Sequence, residues 1–80
     1  MRINVFFFAE LREIFGSFRP MDVRDGSTVE EVVALLAGES ASFFSKKASL
    51  VYAVNESFET TEKKLSHDDE LALMTPMSGG

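Results

Sequence analysis

Ser27-Thr28-Val29-Glu30-Glu31-Val32-Val33-Ala34-Leu35-Leu36-Ala37-Gly38 carries the clearest periodic signal in the chain. Val29, Val32, Val33 and Leu36 recur at i, i+3, i+4 and i+7, the spacing that aligns apolar side chains along one stripe of an α-helix. Asp25-Gly26, just ahead, is a turn signal. Two residues compete to cap the helix: Ser27 fits a capping box with Glu30, and Thr28 fits one with Glu31. Gly38 is the expected end.

On the N-terminal side, residues 2–8 alternate. Ile3, Val5 and Phe7 point one way in an extended chain, and Arg2, Asn4, Phe6 and Phe8 point the other. One face is purely apolar and the second is half aromatic. Leu11, Ile14 and Phe15 suit a short helix ended by Gly16. Residues 18–23 read as a second strand, placed at a sheet edge by Pro20, which cannot donate to a ladder. On the C-terminal side, residues 41–48 are ambiguous, with Phe43 and Phe44 expected in the core and Lys46-Lys47 on the surface. Residues 50–54 read as a strand, Asn55-Glu56-Ser57 as its turn, and Phe58 as part of a short edge strand. Residues 71–75 form the final strand.

The order is strand, short helix, strand, main helix, strand, short strand, final strand. One main helix against a small mixed sheet is an α+β layer pair. It fits the ubiquitin-like β-grasp, in which the first and last strands lie side by side and parallel in the sheet centre. A ferredoxin-like fold would need a second full helix late in the chain, and residues 41–48 are too short and too early for it. The expected division is a domain over residues 1–75 and a flexible tail over residues 76–80.

Eighty residues make one domain, and 45% hydrophobic content with eight Phe is ample for a small core. No Cys means no disulfide, thiolate metal site or cysteine nucleophile, and His67 alone cannot build a metal cluster. No metal and no bound cofactor are expected. The apolar run at the N-terminus is soon broken by charge, and nothing reaches membrane-spanning length. A soluble cytoplasmic protein is the expectation. The net charge is −5, and the chain carries no Lys or Arg after Lys64. That argues against a nucleic-acid footprint, which needs clustered Lys and Arg, and would suit a basic partner cleft.

Catalytic constellations are absent. Gly16, Gly26 and Gly38 are isolated, so there is no phosphate loop. His67 reads as a turn residue, and Asp68, Asp69 and Glu70 lack the alternating spacing of a calcium loop. What remains is the tail. Residues 75–80 can extend about 20 Å at roughly 3.3 Å each. Pro76 biases Thr75 toward an extended conformation, and Gly79-Gly80 has no side chains to obstruct a narrow channel. A C-terminal glycyl carboxylate is inert at neutral pH. It becomes reactive when a partner uses ATP to make an acyl-adenylate, and a sulfur donor can then leave a thiocarboxylate.

Phe7-Phe8-Ala9-Glu10-Leu11-Arg12-Glu13-Ile14-Phe15-Gly16, Ala53-Val54-Asn55, and Asp69-Glu70-Leu71-Ala72 leading to Pro76-Met77-Ser78-Gly79-Gly80 carry a resemblance over essentially the whole chain. The chain resembles the small-subunit family of molybdopterin synthase, the MoaD family. The Gly-Gly ending is common to ubiquitin-like carriers, whereas the Phe-Phe-Ala-x-x-Arg-Glu opening favours this family over thiamine sulfur carriers. Two positions depart from the family pattern. Thr75 stands where a first proline is common, and His67-Asp68-Asp69 where Asp-Gly-Asp is common.

The resemblance implies a carrier of sulfur as a thiocarboxylate on Gly80, recharged by a ubiquitin-activating-type adenylating enzyme and a sulfur donor. It also implies that Pro76, Met77, Ser78 and Gly79 insert into the large synthase subunit, which holds the catalytic side chains. There the sulfur passes to a pyranopterin precursor. Strand parity adds a partner surface: if the first and last strands are neighbours, outward Phe6 and Phe8 meet outward Ala72 and Met74. Ordering residues 75–80 costs roughly 6–12 kcal/mol, and burying Phe6, Phe8 and Met74 returns roughly 5–9. A tail contact alone is therefore weak, and a sheet face plus tail is viable. Other readings stay open at this stage: a carrier for another sulfur pathway such as thiamine, a modifier joined to lysines, or a plain interaction module.

Overall fold

Ile3, Val5 and Phe7 are buried along β1 (Arg2–Phe7), as the alternation predicts, and the strand's other face stays open. The computed structural model describes residues 1–76. β1 stops one residue short of the predicted end because Ala9 adopts a left-handed φ of 52° and turns the chain out of the sheet. Phe8 keeps one ladder bond, its N–H donating to the Leu73 carbonyl at 3.2 Å. A 3₁₀ turn (Ala9–Leu11) leads into α1 (Arg12–Phe15). This segment sets Leu11 fully into the core and ends at Gly16, whose φ of 84° and ψ of −176° suit glycine alone.

β2 (Phe18–Asp22), β3 (Val51–Val54), β4 (Ser57–Glu59) and β5 (Glu70–Met74) complete a sheet of order β2-β1-β5-β3-β4. β5 is central and runs parallel to β1, while every other pairing is antiparallel. This is the β-grasp arrangement that the element order implies. Pro20 lies in the edge strand β2, opposite Asn4. Arg19 and Met21 pair inward with Val5 and Ile3 as ring partners of β1, so Pro20 removes a donor from the free edge and blunts it against further pairing.

The main helix α2 (Val29–Glu39) packs Val29, Val32, Val33 and Leu36 against the sheet's inner face of Ile3, Val5, Phe7, Leu71 and Leu73. Thr28, not Ser27, is the cap. Its Oγ1 accepts from the Glu31 N–H at 3.2 Å while the Glu31 carboxylate accepts from the Thr28 N–H at 3.2 Å. Buried Ser27 instead donates to the Arg24 carbonyl at 2.6 Å, closing the turn before the helix. Two more N-terminal donors of α2 are met from the loop after β4: Val29 N–H donates to the Lys63 carbonyl and Glu30 N–H to the Thr61 carbonyl. The same loop drops Leu65 into the core.

Two expectations are corrected. The helix does not end at Gly38 but runs on to Glu39. The break comes at Ser40, whose extended backbone ends α2 and whose hydroxyl caps α3 (Ala41–Lys46) by accepting from the Phe43 N–H at 3.1 Å. Phe44 is not a core residue. Phe43 is fully buried and stacks edge-on with Phe15, whereas Phe44 is exposed beneath the Lys47 ammonium, 5.0 Å from its ring centre. Adjacent helical residues point about 100° apart, and in α3 the core side falls on Phe43, which leaves Phe44 turned to the surface.

Candidate docking face and tail

Among the described residues, no helix covers the outer face of the sheet. Strand registers align one residue from each strand in a single row: Phe18 opposite Phe6, Phe6 beside Ala72, Ala72 opposite Ala53, and Ala53 opposite Phe58. Residues in register share a face, so this row is apolar from one edge of the sheet to the other. A second, shorter row lies beyond it, where Val51 pairs with Met74 next to Phe8. Small Ala72 and Ala53 sit at the middle, with the Phe6–Phe18 pair on one side and Phe58 on the other. The row therefore forms a trough with aromatic walls. Phe8 is 47% exposed, Phe18 49% and Phe58 77%, while Phe6, Ala72 and Met74 are half-buried.

The structure thus brings together the predicted Phe6, Phe8, Ala72 and Met74 on one surface. It adds Phe18, Phe58, Val51 and Ala53, which the sequence reading missed. Phe18 alternates with Pro20 and Asp22 on β2, a pattern that yields its face only once the register with β1 is known. The opposite end of the same face is polar, with Arg2 and Asp22 joined at 3.1 Å.

The tail leaves this face at its apolar end. β5 is anchored by fully buried Leu71 and Leu73, and it runs parallel to β1, so Met74 and Thr75 emerge beside Phe8. Pro76 is exposed. Met77, Ser78, Gly79 and Gly80 lie outside the described residues.

The turn residues behave as scaffold. His67 accepts the Arg2 N–H on Nδ1 at 3.0 Å, and the Asp68 N–H donates to the Arg2 carbonyl at 2.7 Å. Asp69 takes the Ser66 N–H at 2.7 Å and the Asn55 side-chain amide at 2.9 Å. Asn55 also accepts the Glu70 N–H at 2.9 Å, so its amide fastens the β3–β4 turn to the start of β5.

A family model described as the ThiS family matches residues 5–80. The chain belongs to the ThiS family. This ThiS-family chain is 30% identical over 83 aligned positions to the molybdopterin synthase sulfur carrier subunit of Chlamydomonas reinhardtii, with 100% of each chain covered. Its fold is similar to that in the complex of subunits 1 and 2 of molybdopterin-converting factor from Helicobacter pylori. There the TM-score is 0.72 at 21% identity, with 100% of both chains covered. It is also similar to the small archaeal modifier protein 1 of Haloferax volcanii, with a TM-score of 0.80 at 20% identity over 95% of this chain and 98% of that one. Identities this low speak to fold alone.

Proposed function

We propose that this ThiS-family chain is the sulfur-carrier small subunit of molybdopterin synthase. The observation that carries the reading is the position of the apolar outer face at the end of the sheet from which the central strand's tail departs. A partner seated on Phe6, Phe8, Phe18 and Met74 receives the tail without a further search. The full-length likeness to a molybdopterin synthase sulfur carrier subunit supports the same reading.

The chemistry assigned to the tail is as follows. The Gly80 carboxylate attacks the α-phosphorus of ATP on a separate adenylating enzyme of the ubiquitin-activating type, expelling pyrophosphate. A sulfur donor displaces AMP from the acyl-adenylate and leaves a thiocarboxylate. In the large subunit, residues 76–79 thread the thiocarboxylate to a pyranopterin precursor. Its sulfur bonds to a precursor carbon with loss of that carbon's oxygen substituent. Water then cleaves the resulting thioester, leaving the sulfur on the precursor and a carboxylate on Gly80. The chain supplies a reactant and a docking surface, and the catalytic side chains belong to the large subunit. Among the described residues no helix is long and apolar enough to cross a membrane, and the site of action proposed is the cytoplasm.

The test is the intact mass of the protein purified from its own host, followed by fragmentation of the C-terminal peptide. The expected form has one oxygen exchanged for sulfur at Gly80. Gly80 joined to a lysine of another protein would overturn the carrier reading in favour of a modifier.

A further inference from the structure

The trough on the outer face is apolar along its floor but acidic at one side. Phe6, Phe8 and Ala72 line a groove there together with Glu56 and Glu70. Both carboxylates are exposed, and among the described residues neither has a basic group within ion-pair distance. No Lys or Arg lines the groove, and the ion pairs among the described residues join Arg2 to Asp22, Arg19 to Glu39, Arg24 to Glu31 and Lys46 to Glu10. The chain thus holds two like charges beside the same apolar groove and supplies no counter-charge. Covering the groove with a purely apolar surface would strip water from both carboxylates without replacement, a net cost.

We infer that the occupant of this groove is a surface of the large subunit carrying a lysine or arginine, whose cationic head seats between Glu56 and Glu70 while its stem lies against Phe6 and Phe8. The inference rests on the sulfur-carrier reading and names the chemistry by which the partner is recognised. Arginine and lysine suit the site because their stems are apolar and their heads charged. A second copy of this chain is a poor occupant, since it brings another net charge of −5 and another acidic rim. The pair also gives direction to encounter: opposite charge at the rim raises the association rate and makes it salt-dependent.

The experiment measures binding of the full chain to the purified large subunit of molybdopterin synthase from the same organism, at low and high salt. It compares wild type, the double variant Glu56→Gln/Glu70→Gln, the control Glu13→Gln on α1, and Phe8→Asp. The double variant is expected to bind about tenfold more weakly or worse at low salt and to lose most of the salt dependence, with Glu13→Gln unchanged. Wild-type affinity and salt dependence in the double variant, with Phe8→Asp still failing to bind, would overturn this inference and leave the docking face standing. Unaltered binding by Phe8→Asp would overturn the docking face and this inference with it. Concentration-dependent self-association of the wild-type chain, lost in Phe8→Asp, would replace the large subunit with a second copy as occupant.

Discussion

The Phe6 and Phe18 rings meet across the β1–β2 ladder with centroids 5.1 Å apart and planes inclined at 49°. Each shields part of the other, yet both stay on the open side of the sheet. An aromatic pair held on a rigid sheet loses little freedom when a partner covers it, which is the property of an interface anchor.

Phe18→Ala follows directly from that geometry. Phe18 is half exposed at an edge strand, so its removal should lower stability by no more than about 1 kcal/mol. Loss of an aromatic anchor that a partner covers costs about 2 kcal/mol or more of binding, roughly thirtyfold. Titration of the large subunit with this variant, beside a thermal melt, checks both halves. An unchanged affinity would remove Phe18 from the docking face.

The cap of α2 offers a second measurement. Thr28→Ala removes the acceptor for the Glu31 N–H and breaks the reciprocal pair. It should cost about 1 kcal/mol, a fall in melting temperature of roughly 4–8 °C for a domain of this size. Docking should be unaffected, because Thr28 lies on the helical side of the sheet.

The division between what the sequence discloses and what it withholds follows the range of each signal. The stripe of Val29, Val32, Val33 and Leu36 is local, and so are the parity of β1 and the edge position of Pro20. All three are as the sequence reads. The choice between Ser27 and Thr28 depends on which residue is the last in extended backbone, and Gly38 continues a helix that the Ser40 cap of α3 brings to its end. Phe43 and Phe44 are equivalent as composition and differ only in which faces Phe15. For the open outer face of the sheet, the shared side of Phe6, Phe8, Ala72 and Met74 is legible from alternation within two strands. Phe18, Ala53 and Phe58 join them through registers between strands distant in sequence, which no local pattern encodes.

Acid should loosen the helical side first. The Arg19 guanidinium grips the Glu39 carboxylate through two bonds of 2.8 Å and holds its pKa below the ordinary 4.5. The Thr28 N–H does the same for Glu31, with Arg24 adding to it. Because the folded values are depressed, the unfolded chain binds protons first as pH falls. The stability these groups contribute is complete above about 4.5 and is lost as pH drops through the folded values. Urea midpoints taken from neutral to acid pH should decline in that window. Glu39→Gln should be less stable at neutral pH and show a shallower decline, and an identical slope would mean that the Arg19 pair contributes nothing to the acid response.

Glu56 separates stability from recognition. It follows Asn55 in the β3–β4 turn, and the two have φ of 50° and 69°, the left-handed pair of a tight hairpin turn in which glycine is the favoured second residue. Asn55 is fitted to its place by the bonds its amide makes to Asp69 and Glu70. The Glu56 carboxylate makes no hydrogen bond among the described residues, so nothing within the fold offsets its backbone strain of about 1–2 kcal/mol. Glycine would relieve that strain while adding about 0.5–1 kcal/mol of unfolded-state entropy, leaving Glu56→Gly more stable by about 0.5–1 kcal/mol. The same substitution removes one of the two charges beside Phe6 and Phe8 and should weaken binding to the large subunit. A variant that unfolds at higher urea and binds less tightly would show a strained residue retained for its partner. A variant more stable and equally tight would leave the glutamate without a role at the groove.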